Sequence, residues 1–302
     1  MRDLAIIFVM VLFGATVLYG TGGLESKPYY MSHPTGAYTY TGEIKISANA
    51  SIPEKTTVPY LTLTHKNYGR DDAIEISKDF GIINGDMDEF PEYYSIYDGD
   101  QMLTVFKNGY QIVYLKENVP IKTLNMSDDE LANLAEKYLQ KYSKYLPRGI
   151  TYKIYDIIDD RFESTADDYG NVEEVYYTKR VIYNCYFNNE YFVGIRLSVE
   201  IDADGNLAGF ISMPIEIKEE GTINIKKFSE IYKWMTENGV PVDVNPKLIK
   251  YVEITDVVFG YLPKPTTFGA KFEPAYLVKV RVVGIDTSVN SEYVIDIGGI
   301  TS

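Results

Sequence analysis

Three stretches of the chain repeat their apolar residues at intervals of three and four, which is the spacing of one face of an α-helix. The first stretch covers residues 71–81 and ends at a glycine. The second covers residues 127–146 and begins with the capping box Ser127 to Glu130, in which side chain and backbone bond reciprocally. The third covers residues 226–239 and also ends at a glycine. The pattern predicts three amphipathic helices, each of which must bury its apolar face.

Between these helices, apolar and polar residues alternate, as they do in strands that bury one face. Dipeptides that end in glycine, such as Asp98-Gly99, Asn108-Gly109 and Asp204-Gly205, interrupt the alternation. They predict hairpin turns, because glycine accepts the positive φ that such turns require. We therefore predict an α+β fold of repeated helix-plus-antiparallel-meander units behind an N-terminal hydrophobic helix. The predicted segments are a signal peptide or membrane anchor (1–22), a stalk or linker (23–60) and three helix-meander units (61–120, 121–220 and 221–302).

The N-terminal segment predicts where the protein resides. Residues 4–19 contain no charged side chain, and the two residues directly before them are Arg2 and Asp3. Such a run is typical of a signal peptide or of a short membrane anchor. We expect residues from about 23 onward to lie outside the cytoplasmic membrane. The expected location is the cell membrane, with a single N-terminal anchor and an extracytoplasmic domain, or secretion if the segment is cleaved.

Composition narrows the classes of partner. The formal net charge is −14 and the isoelectric point about 4.7. Proteins that bind nucleic acid need Lys and Arg side chains to displace counterions from phosphate, so this charge disfavours nucleic acid. The chain contains 28 Tyr and 1 Trp, and the abundance of Tyr favours broad sheets and contact surfaces.

The segment EIDADGNLAGF (200–210) is the first candidate for a metal site. Asp202, Asp204 and Asn206 have the spacing of the first ligands of a calcium loop. An EF-hand loop that starts at Asp202 also requires Gly at its sixth position and Glu at its twelfth. Those positions hold Leu207 and Met213. The segment is better interpreted as a hairpin turn with its tip at Asp204-Gly205.

Other candidates for chemistry are few. The single Cys185 alternates with apolar residues, which favours an inert buried thiol. His33 and His65 have unrelated surroundings, and no G-x-S-x-G, G-x-G-x-x-G, P-loop or H-E-x-x-H motif occurs. The acidic segment 159–174 is interpreted as a solvated loop, with calcium binding left open. We therefore assign no catalytic, cofactor-binding or metal-binding residues and no cofactor, and expect a protein that is not an enzyme.

Two segments carry a resemblance to a known family. Residues 199–207 (VEIDADGNL) form a strand, an acidic-glycine turn and a strand, and residues 73–115 have the outline of a helix followed by strands. Both resemble PepSY-type domains, and a chain with an N-terminal anchor and several such units resembles the YycH/YycI class of extracytoplasmic regulators. The resemblance implies a non-catalytic module that contacts a sensor, a peptidase or an envelope component.

The sequence leaves three functions open. The first is a membrane-tethered extracytoplasmic regulatory protein of PepSY/YycI-like build, which acts by protein–protein contact. Its expected partner is an envelope or membrane protein, such as a sensor kinase or a peptidase. The second is a surface-layer or filament subunit that self-associates. The third is a surface hydrolase that depends on a pair of carboxylates.

Overall fold

The computed structural model describes residues 30–32, 36–166, 172–266 and 269–301. The described part contains three α-helices, α1 (Arg70–Asp79), α2 (Asp128–Lys141) and α3 (Phe228–Asn238). It also contains the strands β1 (Tyr30–Ser32), β2 (Tyr38–Tyr40), β3 (Ile44–Ile46), β4 (Thr57–His65), β5 (Asp86–Glu89), β6 (Tyr93–Asp98), β7 (Gln101–Phe106), β8 (Ile112–Lys116), β9 (Thr151–Asp159), β10 (Phe162–Ala166), β11 (Val172–Tyr176), β12 (Thr178–Phe187), β13 (Glu190–Asp202), β14 (Leu207–Ser212), β15 (Ile215–Asn224), β16 (Val240–Val242), β17 (Ile249–Thr266), β18 (Gly269–Gly284) and β19 (Ser291–Gly298).

The three predicted helices are confirmed. In α2, the Ser127 hydroxyl accepts a hydrogen bond from the backbone N–H of Glu130, and the Glu130 carboxylate accepts one from the backbone N–H of Ser127. This is the capping box that the sequence predicts. None of the three described helices has the length and hydrophobicity needed to cross a lipid bilayer. The predicted signal peptide or anchor, 1–22, lies outside the described residues.

The chain forms two compact units. Unit 1 holds the described residues up to Leu61 and those from Glu219 onward, and unit 2 holds Thr62–Lys218. The chain passes from unit 1 to unit 2 within β4 and returns within β15.

Unit 1 is built around a long antiparallel hairpin of β17 and β18. Strand β19 pairs with β18 and β1 pairs with β19, both antiparallel, whereas β3 pairs with β17 in parallel. Helix α3 buries Phe228, Ile231 and Met235, and the Phe228 ring lies 5.4 Å from that of Tyr276. The apolar stripe of α3 therefore supplies part of the core of this unit.

Unit 2 contains eight strands side by side in the order β9-β12-β13-β14-β8-β7-β6-β5, each antiparallel to the next. Its core includes an aromatic cluster at the ends of α1 and α2. The Phe80 ring stacks on Tyr142 at 4.3 Å and on Tyr114 at 5.2 Å, and Phe210 lies 5.6 Å from Phe80. These rings join both helices to β8 and β14.

The predicted fold class, repeated helix-plus-antiparallel-meander units, is wrong. The described chain is mostly β, and its strands do not form one separate meander after each helix. Strand β14, which follows α2, pairs with β8, which follows α1, so the two sets of strands share one sheet. The parallel pair of β3 and β17 makes the sheet arrangement mixed rather than purely antiparallel.

Candidate functional site

The segment that suggested calcium is a hairpin turn between β13 and β14, as predicted from its glycine. Gly205 has a φ of +80°, which is the left-handed conformation that glycine favours. Asp202 is fully buried, and its Oδ1 accepts hydrogen bonds from the backbone N–H groups of Asp204 (2.9 Å) and Asn206 (2.8 Å). Its Oδ2 accepts a further bond from the Asn206 side chain (3.3 Å). The carboxylate is therefore engaged by the turn itself.

A buried cluster of charges centres on Glu200, two residues before Asp202 on β13. Glu200 is fully buried, and its Oε2 lies 2.9 Å from Arg180 Nη2. Its Oε1 lies 2.7 Å from Arg161 Nε, off the line of the N–H bond, so this contact is an ion pair rather than a hydrogen bond. Asp160 Oδ2 accepts a hydrogen bond from Arg180 Nε at 2.8 Å and lies 2.5 Å from the same Nη2 atom that faces Glu200. Burial raises the pKa of the Glu200 carboxyl, and the guanidinium groups of Arg180 and Arg161 oppose that rise.

This cluster holds the start of the β10–β11 hairpin against β8 and β14. The Arg161 guanidinium also donates hydrogen bonds to the backbone carbonyls of Lys116 (2.6 Å) and Ala208 (3.2 Å), on β8 and β14. Gly209 lies opposite Glu200 in the β13–β14 pair, and a Cβ at Gly209 would lie 2.5 Å from the Glu200 carboxylate. The cluster therefore needs a residue without a side chain at this position. It fixes the point at which the chain leaves β9 and enters β10.

The acidic segment 159–174 is not a solvated loop over its described length. Residues 162–166 and 172–176 pair as the antiparallel hairpin β10–β11, and Asp160 belongs to the buried cluster. Residues 167–171 lie outside the described part of the chain. Among the described residues, no group of three or more His, Cys, Asp or Glu side chains is arranged to hold a metal ion.

The remaining sequence candidates lie apart from one another. Cys185 is buried on β12, and burial raises the pKa of its thiol to about 12, so the thiolate that a nucleophile requires is disfavoured. His65 ends β4 and lines a cleft beside α1. His33 lies outside the described residues.

Seven large apolar side chains are exposed in the described part of unit 2, and five of them lie on β9, β10 and β11, whereas the other two follow α1 and β8. The exposed fractions are 43% for Ile154, 66% for Tyr155 and 50% for Phe162, with Ile158 and Tyr176 also exposed. We call these five residues the β9–β11 surface. The Phe162 and Tyr176 rings contact each other at 5.3 Å across the β10–β11 pair. Single exposed apolar residues are common on proteins, but five within 23 positions of sequence mark a candidate binding surface.

Strand β9 presents three of these residues, Ile154, Tyr155 and Ile158, along a sheet edge, and the other two lie on the separate β10–β11 pair. Within the described residues β9 pairs with β12 and with no second strand. Its pairing shifts between Ile154 and Asp156, so Tyr155 is the extra residue of a β-bulge. A bulge and a lysine, here Lys153, are features that keep an edge strand from pairing freely with other chains. The geometry is suited to a partner that contacts the projecting side chains on both faces of the edge.

Sequence patterns did not identify this surface. The segment ITYKIYDII (150–158) is a correctly predicted strand, but its apolar residues fall on both faces. A strand with apolar residues on both faces has the same sequence pattern whether it lies at the edge or in the middle of a sheet. Strand order, which the sequence does not contain, decides between the two.

Comparisons with known proteins do not assign the chain to a family. No protein-family model matches the chain, and no curated protein matches it. A crystal structure of an uncharacterized protein from Eubacterium rectale is 12% identical with a TM-score of 0.48, over 84% of this chain and 85% of that one. The Bacillus megaterium YpeB C-terminal domain is 12% identical with a TM-score of 0.34, over 76% of this chain and 98% of that one. With both TM-scores below 0.5, the likeness to PepSY-type domains stays a prediction from the sequence.

Proposed function

We propose that the chain is a membrane-tethered, extracytoplasmic interaction protein that binds an envelope protein through the β9–β11 surface and has no catalytic role. The observation that supports it best is the presence of five exposed apolar side chains on β9 and the β10–β11 pair. Tyr and Ile side chains on a rigid strand lose little conformational freedom on binding, and Tyr is often the anchor of a protein interface. The partner contributes apolar groups that cover Tyr155 and Ile158.

The proposed location follows from the N-terminal sequence. Residues 4–19 contain no charged side chain, which suits an anchor or a signal peptide. Cell fractionation of the full-length chain and of a chain that lacks residues 1–22 tests this part. We expect the full-length chain in the membrane fraction, or processed and secreted, and the shortened chain in the cytoplasm. Equal distribution of the two chains among the fractions would contradict the proposed location.

Paired substitutions test the proposed surface. The double variant Tyr155→Lys and Ile158→Lys places charge on two exposed positions of β9. Its control, Leu248→Lys and Ile285→Lys, changes two exposed apolar residues of unit 1 in the same way. After chemical cross-linking in cells, we expect the wild type and the control to retain the same membrane-protein partner and the β9 variant to lose it. Retention of that partner by the β9 variant would overturn the proposal.

Self-association through the same edge is the alternative, because a second copy of the chain also carries an open β9 edge. Sedimentation of the purified chain separates the two functions. A concentration-dependent dimer or polymer that the β9 variant abolishes favours the structural subunit. A monomer at all concentrations favours the interaction protein.

A further inference from the structure

A polar cleft in unit 2 lies between the end of β4, one face of α1 and the segments around residues 144–148 and 214–216. Its volume is about 430 Å³, which lies within the range of small-molecule sites. Ile76, Leu146 and Pro214 supply apolar wall, and most of the other lining residues are polar or charged. The cleft is made of different residues from the β9–β11 surface.

Most charges of the cleft are neutralised within it. Lys66 Nζ lies 2.6 Å from Asp72 Oδ1, and this hydrogen bond is the largest of the effects that lower the pKa of Asp72. Lys144 Nζ lies 2.5 Å from Asp79, which also accepts a hydrogen bond from the Tyr145 hydroxyl. These pairs are complete without a ligand.

Two opposite charges in the cleft are not neutralised in this way. Within the described part of the chain, neither the Arg148 guanidinium nor the Glu75 carboxylate forms an ion pair or a side-chain hydrogen bond. The backbone of Arg148 is fixed, because its N–H donates to Ile215 and its carbonyl accepts from Ile217. Glu75 follows Asp72 by one turn on the same face of α1. Both residues line the same cavity.

Two polar groups beside these charges also lack a partner. The Nδ1 atom of His65 is buried and makes no hydrogen bond among the described residues. The Tyr68 hydroxyl likewise makes none there, and burial raises its pKa, so it stays protonated and can donate. A buried polar atom without a hydrogen bond is costly, which favours a ligand or water at His65 Nδ1.

The charges decide which class of ligand fits. Glu75, Asp72 and Glu216 repel a phosphate or another dianion, and Lys66, Lys144 and Arg148 repel a divalent cation. One unpaired cation and one unpaired anion instead complement a molecule that carries both charges. A planar guanidinium binds a carboxylate through two parallel hydrogen bonds, and a carboxylate accepts from an ammonium group.

We propose that this cleft binds a small zwitterion with the chemistry of a free amino acid or a short peptide. Arg148 binds the ligand carboxylate and Glu75 binds its ammonium group. Tyr68 and His65 contribute hydrogen bonds, and the apolar wall at Ile76 and Leu146 contacts the ligand side chain.

Titration of the purified chain tests the proposal, with the backbone amide signals of the cleft followed by NMR. The standard amino acids and their glycyl dipeptides are added singly up to about 10 mM, a range that detects millimolar affinity. We expect at least one of them to give saturable shifts at the cleft. Its N-acetyl and methyl-ester derivatives, which each remove one charge, should bind at least about tenfold more weakly.

Matched variants locate the site. Arg148→Gln and Glu75→Gln each remove one of the two charges, and we expect each to weaken binding at least about tenfold. Lys78→Gln and Asp71→Asn change exposed charges of α1 that do not line the cleft, and should leave binding unchanged. The proposal is overturned if no amino acid or dipeptide gives saturable shifts. It is equally overturned if the blocked derivatives bind as well as the free ones, or if the cleft variants bind as tightly as the controls.

Discussion

At the scale of the residue, three buried or half-buried carboxylates show how surroundings decide the role of one functional group. Glu200 is held by two guanidinium groups, and Asp202 by the amides of its own turn. Asp296 on β19 has neither kind of support, and burial alone raises the pKa of its carboxyl to about 6. For Glu200 the two guanidinium groups oppose the rise in pKa that burial causes, whereas for Asp296 nothing opposes it, so ionisation of Asp296 opposes folding.

The Glu200→Gln variant tests the buried cluster. It removes the negative charge and leaves Arg161 and Arg180 without their central partner. Because breaking a buried ion pair on one side leaves a charge uncompensated, we expect the free energy of unfolding to fall by about 3 kcal/mol or more. Glu237→Gln, which breaks an exposed pair with Lys233 on α3, should change it by less than about 0.5 kcal/mol. Equal small losses in urea unfolding would contradict a stabilising role for the cluster.

The raised pKa of Asp296 predicts how the stability of the fold changes with pH. Its pKa in the folded chain, about 6, lies above its ordinary value of 3.8, so the folded state binds more protons between these values. Stability therefore falls as pH rises through about 4 to 6 and levels off above. We expect Asp296→Asn to remove this fall and to raise the free energy of unfolding at pH 7 by up to about 3 kcal/mol.

Asp286 is the control of opposite sign for that experiment. Hydrogen bonds from Ser288 lower the pKa of its carboxyl, so its contribution is present at neutral pH and is lost as pH falls through the lowered pKa. Asp286→Asn should therefore reduce stability at pH 7. Urea midpoints measured between pH 4 and pH 8 compare the two variants. A stability profile of Asp296→Asn that parallels the wild type would disprove the effect of burial.

At the scale of the element, the sequence predicts what local patterns determine. The α2 capping box and the Asp204-Gly205 turn are both confirmed, because their causes lie within a few neighbouring residues. Strand pairing is decided by distant contacts, and the pairing of β14 with β8 joins two segments that the sequence assigned to separate units. The parallel pair of β3 and β17 joins residues more than 200 positions apart. No turn or periodicity marks such a pair, so the repeated meander was predicted in error.

The candidate sites show the same difference between features with local causes and features that depend on distant contacts. The interpretation of 202–206 as a turn follows from the type and spacing of its residues, and the structure agrees. The charge cluster brings together Asp160 from the turn after β9, Arg180 from β12 and Glu200 from β13, and no short motif joins them. The apolar residues of the β9–β11 surface are visible in the sequence, but their exposure depends on the strand order.

The Asp202→Ala variant tests the turn as an element. It removes the buried acceptor of two backbone N–H groups, so we expect a loss of about 2 kcal/mol in the free energy of unfolding. Asp204→Ala, two residues later, removes only an exposed pair with Lys122 and should cost less than about 1 kcal/mol. Thermal or urea unfolding compares the two variants. A larger loss for Asp204→Ala would mean that the wrong aspartate has been assigned to the turn.

At the scale of the whole molecule, an acidic chain with a charge-free N-terminal run carries five exposed apolar side chains on β9, β10 and β11 of unit 2. The buried ion cluster holds the chain where β9 gives way to β10, and the bulge in β9 projects Tyr155. Together these features present apolar side chains from a fixed backbone rather than from a long loop. This arrangement supports a role in contact with another protein, which is the central claim of the account.

Photo-crosslinking from position 155 tests that claim most directly. A photoreactive phenylalanine analogue replaces Tyr155 in the full-length chain, and a control chain carries it at Ile285, which is exposed to a similar degree. After irradiation of intact cells, we predict one discrete adduct with an envelope protein from position 155. The adduct should disappear when Ile158→Lys is added and should be absent from position 285. No adduct from position 155, or the same adducts from both positions, would contradict the account.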